Sequence, residues 1–178
     1  MNIFATHDDP VLSATELPDK HIVKMPLECC QMLAVVYSPW YKDIGPVFKS
    51  DGSAYATKKG AFRNHPCTKW VAESDHNIAW LLQHGIALCD EYEYRYNKRH
   101  TCKKSLVLAG LLYQHGCPEK HTPFARAMPD EWKYDDSIST HEAYQRYIAS
   151  KPWVPTNYLR VPDRKPSWID LYAPVEAV

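Results

Sequence analysis

The sequence predicts a mainly α fold: a compact single-domain helical bundle with a long central helix and a tail rich in proline and aromatic residues. Three observations lead there. Apolar residues recur every three to four positions over two long stretches, 13–37 and 68–96, the period that lines one helix face. Strand signals are sparse, with Asn2-Ile3-Phe4-Ala5 the main candidate. The length of 178 residues, with 45% apolar and 24% charged side chains, suits one core, and a chain of this size buries roughly 70% of its unfolded surface without staples.

The first helix is expected from about Ser13 to Tyr37, with Leu17, Val23, Leu27, Cys30, Leu33, Ala34 and Tyr37 on one face. Ser13 or Thr15 caps its start, and Pro18 fits the first turn, where a missing N–H costs nothing. Pro26 removes an interior hydrogen bond, so a bend or break is expected there. The loop 38–66, with Gly45-Pro46, Asp51-Gly52-Ser53 and Gly60, is long for a compact domain and reads as a functional insertion. The central helix starts at Thr68 and runs about eight turns through Trp70, Ile78, Leu81, Leu88 and Tyr92 to Tyr96. Lys98 and Arg99 suit the negative end of its dipole. A third helix covers Cys102 to His115, stopped by Gly116 and Pro118. Eight of the 14 prolines fall in the last 61 residues. One short helix, about Thr140 to Ser150, interrupts that region, and Trp153, Tyr158, Trp168 and Tyr172 anchor the extended tail 151–178 on the domain.

Charge sums to zero, 21 basic against 21 acidic residues, but residues 58–104 hold nine basic and five acidic side chains. That local surplus falls short of the balance of a non-specific DNA binder. No apolar run approaches the ~20 residues of a membrane helix, and the N-terminus lacks a basic region followed by an apolar stretch, so no membrane association is expected. Six cysteines without a signal peptide point to reduced thiols and a cytoplasmic protein. The pattern His100-x-Cys102, His115-x-Cys117 and His121 carries zinc-type ligands, but an apolar helix-like run separates the pairs, and side chains lining a helix are the favoured reading. No metal and no cofactor are expected.

Gly-rich phosphate loops, GxSxG, CxxC and HExxH are missing. What remains is Leu17-Pro18-Asp19-Lys20-His21-Ile22-Val23-Lys24-Met25-Pro26-Leu27-Glu28. Seven residues separate His21 from Glu28, so both face one side of a helix with Lys24 between them. A carboxylate and an imidazole at one pocket can divide acid and base work; a polar helix edge of intrahelical ion pairs uses the same residues.

The stretch resembles the N-terminal helix of the phage pyrimidine-dimer DNA glycosylases of the endonuclease V type, a small all-α family. Its pattern, leucine, aspartate two residues on, histidine two further and glutamate seven after that, falls on Leu17, Asp19, His21 and Glu28. A weaker likeness lies in His141-Glu142-Ala143 and in Lys165-Pro166-Ser167-Trp168 with Tyr172. The resemblance implies that Glu28 is the catalytic carboxylate, with His21 beside it. It also implies that an α-amine, on Asn2 after loss of Met1 or on Met1 itself, forms an imine with C1′ of the sugar. His21 stands about five residues further along than in the family, and of the family's basic first helix only Lys20 and Lys24 remain. The DNA contacts read from the residues are Asn64 and His65 ahead of the central helix, and Tyr94, Arg95 and Lys98 at its far end. Trp168 lies near the lesion or packs. Each of these reads equally as an ordinary cap, core or surface group, and Glu91 with Arg95 as an i,i+4 ion pair.

The expected function is cleavage of the N-glycosidic bond of damaged or modified pyrimidines, with AP-lyase activity, on DNA in the host cytoplasm if phage-encoded. Zero net charge leaves open the same chemistry on free nucleotides, and the aromatic tail leaves open a non-enzymatic accessory protein that binds a host partner.

Overall fold

The computed structural model describes residues 1–113 and 121–174. Among them are eight α-helices and no strand: α1 (Pro10–Thr15), α2 (Asp19–Tyr37), α3 (Pro66–Glu73), α4 (Asp75–Tyr96), α5 (Cys102–Leu112), α6 (Asp130–Lys133), α7 (Thr140–Ala149) and α8 (Ser167–Tyr172). The mainly α expectation holds. The expected strand 2–5 is instead an irregular buried segment, and the one isolated bridge joins Phe48 to Ala54.

Both long helices begin differently from the periodic reading. The 13–37 stretch is interrupted at 16–18, not at Pro26. Asp9 caps α1 by accepting from Val11 N–H and Leu12 N–H, at 2.7 and 3.0 Å. Pro18 is the N-cap of α2, and the helix runs on through Pro26. Proline there leaves the Ile22 carbonyl without its helical donor, while the next carbonyl, of Val23, accepts from His100 Nε2 at 3.1 Å. The 68–96 stretch is likewise two helices. Ser74 takes an extended conformation, φ −152° and ψ 158°, and its hydroxyl accepts from Asn77 N–H to cap α4. His65, not Thr68, caps α3. The third helix ends at Leu112 with its cap at Tyr113, and His115, Gly116, Cys117 and Pro118 lie outside the described residues.

The 22-residue α4 is the axis, packed on α1, α2, α3 and α5. Gly85 makes one of those approaches possible: a Cβ there would stand 3.0 Å from a Leu106 methyl on α5 and 3.2 Å from Cys29 Cβ on α2. At the far end of α4, Arg95 is buried and fully engaged. Its guanidinium donates to Glu91 Oε1 (2.8 Å), Asp19 Oδ1 (3.0 Å), the Leu17 carbonyl (2.9 Å) and the Thr15 carbonyl (2.9 Å). The tail joins the same node, since Asp19 Oδ2 accepts from Leu159 and Arg160 N–H, and Arg164 donates to Glu91.

A buried ion network is costly to assemble but costlier to break, because removing one member strands the others. Arg95→Met is expected to lower the unfolding free energy by about 3–5 kcal/mol, read from the shift in urea midpoint. An unchanged midpoint would show that the node is not structural.

Candidate active site

Glu28 stands midway along α2, on the face covered by the first residues of the chain. It is 6% exposed, and a carboxylate buried this far is tolerated only with donors around it. Three nitrogens supply them. Asn2 N–H donates to Oε2 at 2.8 Å, the Met1 α-ammonium lies 3.5 Å from the same oxygen, and Lys24 Nζ, one turn earlier and largely in solvent, lies 3.2 Å from Oε1.

The segment that delivers those nitrogens is tightly held. Asn2 Oδ1 accepts from Ile3 and Phe4 N–H, at 2.8 and 3.1 Å, and its amide donates to the Ala127 carbonyl at 2.7 Å. Phe4 adopts φ +42°, a left-handed conformation that an aromatic residue reaches only under constraint. Two contacts constrain it: the Ser13 hydroxyl donates to its carbonyl at 3.1 Å, and its ring stacks on His21 with centroids 4.3 Å apart. His141 Nδ1 then donates to the Ala5 carbonyl, and its Nε2 meets Asp8.

His21 is closed in by Phe4 on one face and the edge of Trp153 at 5.5 Å. Burial, and then the charges of Lys151 and Lys24, hold its imidazole down to about 3, so the ring is neutral at ordinary pH. Its Nδ1 has no partner. Lys151 shares this enclosure: its ammonium sits 3.3 Å from the Tyr147 ring centroid without a hydrogen-bond partner, and burial lowers it to about 8. Nothing local marks Lys151 out, since its neighbours come from α2, α7 and the N-terminus.

On the other side, His65 feels the charges of both the N-terminal amine and Glu28, with burial the larger influence lowering its pKa. The Thr68 hydroxyl lies 3.6 Å from Met1 Sδ. Beside them opens a shallow depression of about 550 Å³, lined among others by Asn64, Lys69, Lys133 and Tyr134. Asn2, Lys24, Glu28, His65 and Asn64 therefore belong to one neighbourhood. Lys20 lies over Trp153 at 4.6 Å, on the His21 side.

The far-end residues do not join them. Tyr94 is 63% exposed, with the Arg164 guanidinium 5.0 Å above its ring, and Lys98 is exposed past the end of α4. Arg95 and Trp168 are buried, so neither offers a surface to DNA: all three guanidinium nitrogens donate within the protein, and Trp168 packs in the core beside Ile169. Of the zinc-type pattern, His100 Nδ1 accepts from Cys102 N–H, whereas His121 faces Asp8, which it shares with His141. Among the described residues no group of three or more histidine, cysteine or acidic side chains is arranged to hold a metal ion, and no helix is long and apolar enough to cross a membrane.

A family model described as pyrimidine dimer DNA glycosylase matches residues 1–104, which include the N-terminal segment, α2 and Glu28. No curated protein and no solved structure matches the chain.

The enclosure of His21 has a consequence for stability. The unfolded chain takes up a proton near pH 6.5 and the folded chain only near 3. Below 6.5 the unfolded state therefore binds more protons, and stability falls as pH drops toward 3. His21→Phe keeps the stack on Phe4 and removes that proton. Unfolding free energies from urea titrations between pH 6.5 and 3 should fall less steeply in the variant, by about 1.4 kcal/mol per pH unit; equal slopes would mean that His21 is not buried neutral.

Proposed function

Because the chain belongs to the pyrimidine dimer DNA glycosylase family, we propose that it cleaves one N-glycosidic bond of a pyrimidine dimer in duplex DNA, leaving that base tethered to its neighbour, and then nicks the strand as an AP lyase. The observation that carries this reading is the pair of backbone nitrogens 2.8 and 3.5 Å from Glu28 Oε2. The nucleophile is the α-amine at this position. It is that of Met1, or, once Met1 is removed, the nitrogen of Asn2, which loss of Met1 converts from an amide to a primary amine in place.

Each group has a task that its surroundings suit. As the base departs with the bonding pair, positive charge grows on the sugar, and the Glu28 carboxylate, set in a partly water-excluded site, stabilises it. The amine attacks C1′ in its unprotonated form. Nitrogen loses its protons as the ring opens to the imine, and Glu28 is within reach to accept one. The same carboxylate then serves as base at C2′, and elimination expels the 3′ phosphate. Lys24 and Lys20 lie on the outer side of α2, where they meet phosphates as point charges that position the strand. His21 acts through Phe4: as a flat neutral ring it seats the segment that presents the amine. The lesion must be kinked or flipped to reach C1′, at a cost of a few kcal/mol met by contacts along the depression beside Asn64 and His65.

The test is a duplex carrying a single thymine dimer, incubated with the protein and sodium borohydride. We expect a covalent adduct whose peptide map places the sugar on the N-terminal residue, and loss of the adduct after N-terminal acetylation. Glu28→Gln should lower the rate of glycosidic cleavage, read as strand nicks after alkali, by roughly 10²–10³-fold, the range for losing one group aimed at developing charge. An adduct mapped to a lysine, or a wild-type cleavage rate in Glu28→Gln, would overturn the assignment. Intact mass of the purified protein states which residue carries the amine.

A further inference from the structure

The second half of the loop 38–66 is a stiff mount. Gly60 and Phe62 both take left-handed backbone, φ +58° and +64°. Gly60 has to be glycine, because a Cβ there would stand 2.9 Å from the Trp40 ring and 2.6 Å from the Arg63 guanidinium. Those two side chains are stacked, with the guanidinium 4.3 Å from the Trp40 ring centroid. Trp40 Nε1–H donates to the Thr57 carbonyl at 2.8 Å, and the Tyr41 hydroxyl donates to the Arg63 carbonyl. Turn bonds tie the rest together: Gly60 N–H to the Thr57 carbonyl (2.8 Å), Arg63 N–H to that of Gly60 (3.1 Å) and His65 N–H to that of Phe62 (3.0 Å).

This mount holds Phe62 where folding alone has no use for it. The side chain is 51% exposed and lies outside the core. A bulky residue at positive φ is strained where glycine or asparagine would sit at little cost. Strain and exposed apolar surface thus fall on one residue. The charge around it has a single sign: residues 52–72 hold Lys58, Lys59, Arg63 and Lys69 and no carboxylate. Lys58, Lys59 and Lys69 are exposed. An aromatic ring set among unopposed cations suits a polyanion that also offers flat bases to stack on. The position fits as well. Phe62 lines a cavity of about 450 Å³ together with Leu27, the residue before Glu28 on α2. Its carbonyl holds His65, which feels the charge of Glu28.

We propose that Phe62 is a wedge for distorted duplex DNA: its ring enters the base stack at the step beside the lesion and holds the kink, while Lys58, Lys59 and Lys69 meet the flanking phosphates. This rests on the glycosylase reading and names a residue that offsets the cost of distorting the duplex. An apolar ring inserted between base steps unstacks them and bends the helix axis. Such a ring needs a rigid support, because a pliant loop loses in ordering entropy what stacking gains. Gly60 and the Trp40–Arg63 stack supply that support. Unstacking is cheapest where a lesion has already weakened the stack, so the wedge favours a damaged step over an intact one. The lysines meet a backbone common to both and do not discriminate.

The experiment follows binding by stopped-flow anisotropy, before strand nicking, to a duplex with a single thymine dimer and to its undamaged counterpart. Each carries 2-aminopurine beside the dimer position. The wild-type chain should prefer the dimer duplex and raise the 2-aminopurine fluorescence as that base unstacks. Phe62→Asn keeps a residue that tolerates left-handed backbone and removes the ring. Its preference for the dimer duplex should fall roughly 10- to 100-fold, the range for losing one base–aromatic stack. The fluorescence rise should be lost, the salt dependence unchanged, and the thermal midpoint no lower than wild type. Phe62→Trp should restore both preference and fluorescence. Lys58→Ala with Lys59→Ala should instead weaken binding to both duplexes alike and reduce the slope of log affinity against log salt by about two. Wild-type preference and fluorescence in Phe62→Asn would overturn the wedge and leave the glycosylase reading standing. A wild-type chain with no preference for the dimer duplex would overturn both, so the two failures are told apart.

Discussion

A carboxylate that is almost wholly out of water dictates how this chain begins. Glu28 is set in α2 by helical geometry and is covered, so its oxygens must be met by donors. The nearest that folding provides, apart from Lys24, are the first two backbone nitrogens. Bringing them there obliges residues 1–6 to cross α2 in an irregular, buried path, and the contacts of that path follow from the obligation. Asn2 folds its carboxamide back on Ile3 and Phe4, Phe4 takes a positive φ, and Ser13, His21 and His141 secure the carbonyls and the ring. Under the proposed mechanism, stability and reactivity are in tension at one point: the donors that make the glutamate tolerable are those the chemistry needs free.

The two ends of α2 serve different purposes. Near Glu28 the environment is amine, imidazole and open depression. Near Asp19 it is a closed ionic node in which Arg95 joins α4, the α1–α2 turn and the tail. About 13 Å of helix separates Asp19 from Glu28 at 1.5 Å per residue, so the node anchors the start of α2 without touching the Glu28 carboxylate. The aspartate and glutamate of one short motif therefore divide into a residue held by the ionic node and a residue covered by the N-terminal segment.

Much of this was legible in the sequence, and the illegible parts share a cause. Helical period is local, so α2, α4, α5 and α7 were visible. Interruptions at 16–18 and Ser74 were hidden because the apolar period continues across them, while the caps that signal them, Asp9 and Ser74, sit among other polar residues. Pro26 argued for a break that packing overrode. Arg95 looked like a surface cation at a helix end because the groups that claim it, Thr15, Leu17 and Asp19, are 76 to 80 positions away. The meeting of Asn2 with Glu28 has the same character: residue types are written locally, but which of them meet is decided by tertiary packing. The family pattern of Leu17, Asp19, His21 and Glu28 marked the helix that matters, and it lies within the residues the family model matches.

The start of α2 carries one more implication. Pro18 gives the helix no side-chain cap, and the orphan N–H groups of Asp19 and Lys20 are instead taken by the carbonyl and the side-chain oxygen of Asn157, each at 2.8 Å. A nascent chain leaving the ribosome therefore carries the glutamate helix with a frayed first turn until Asn157, 137 positions beyond Lys20, has been made. Only when that residue folds back does the turn close, so vectorial synthesis itself delays assembly of the amine-binding carboxylate.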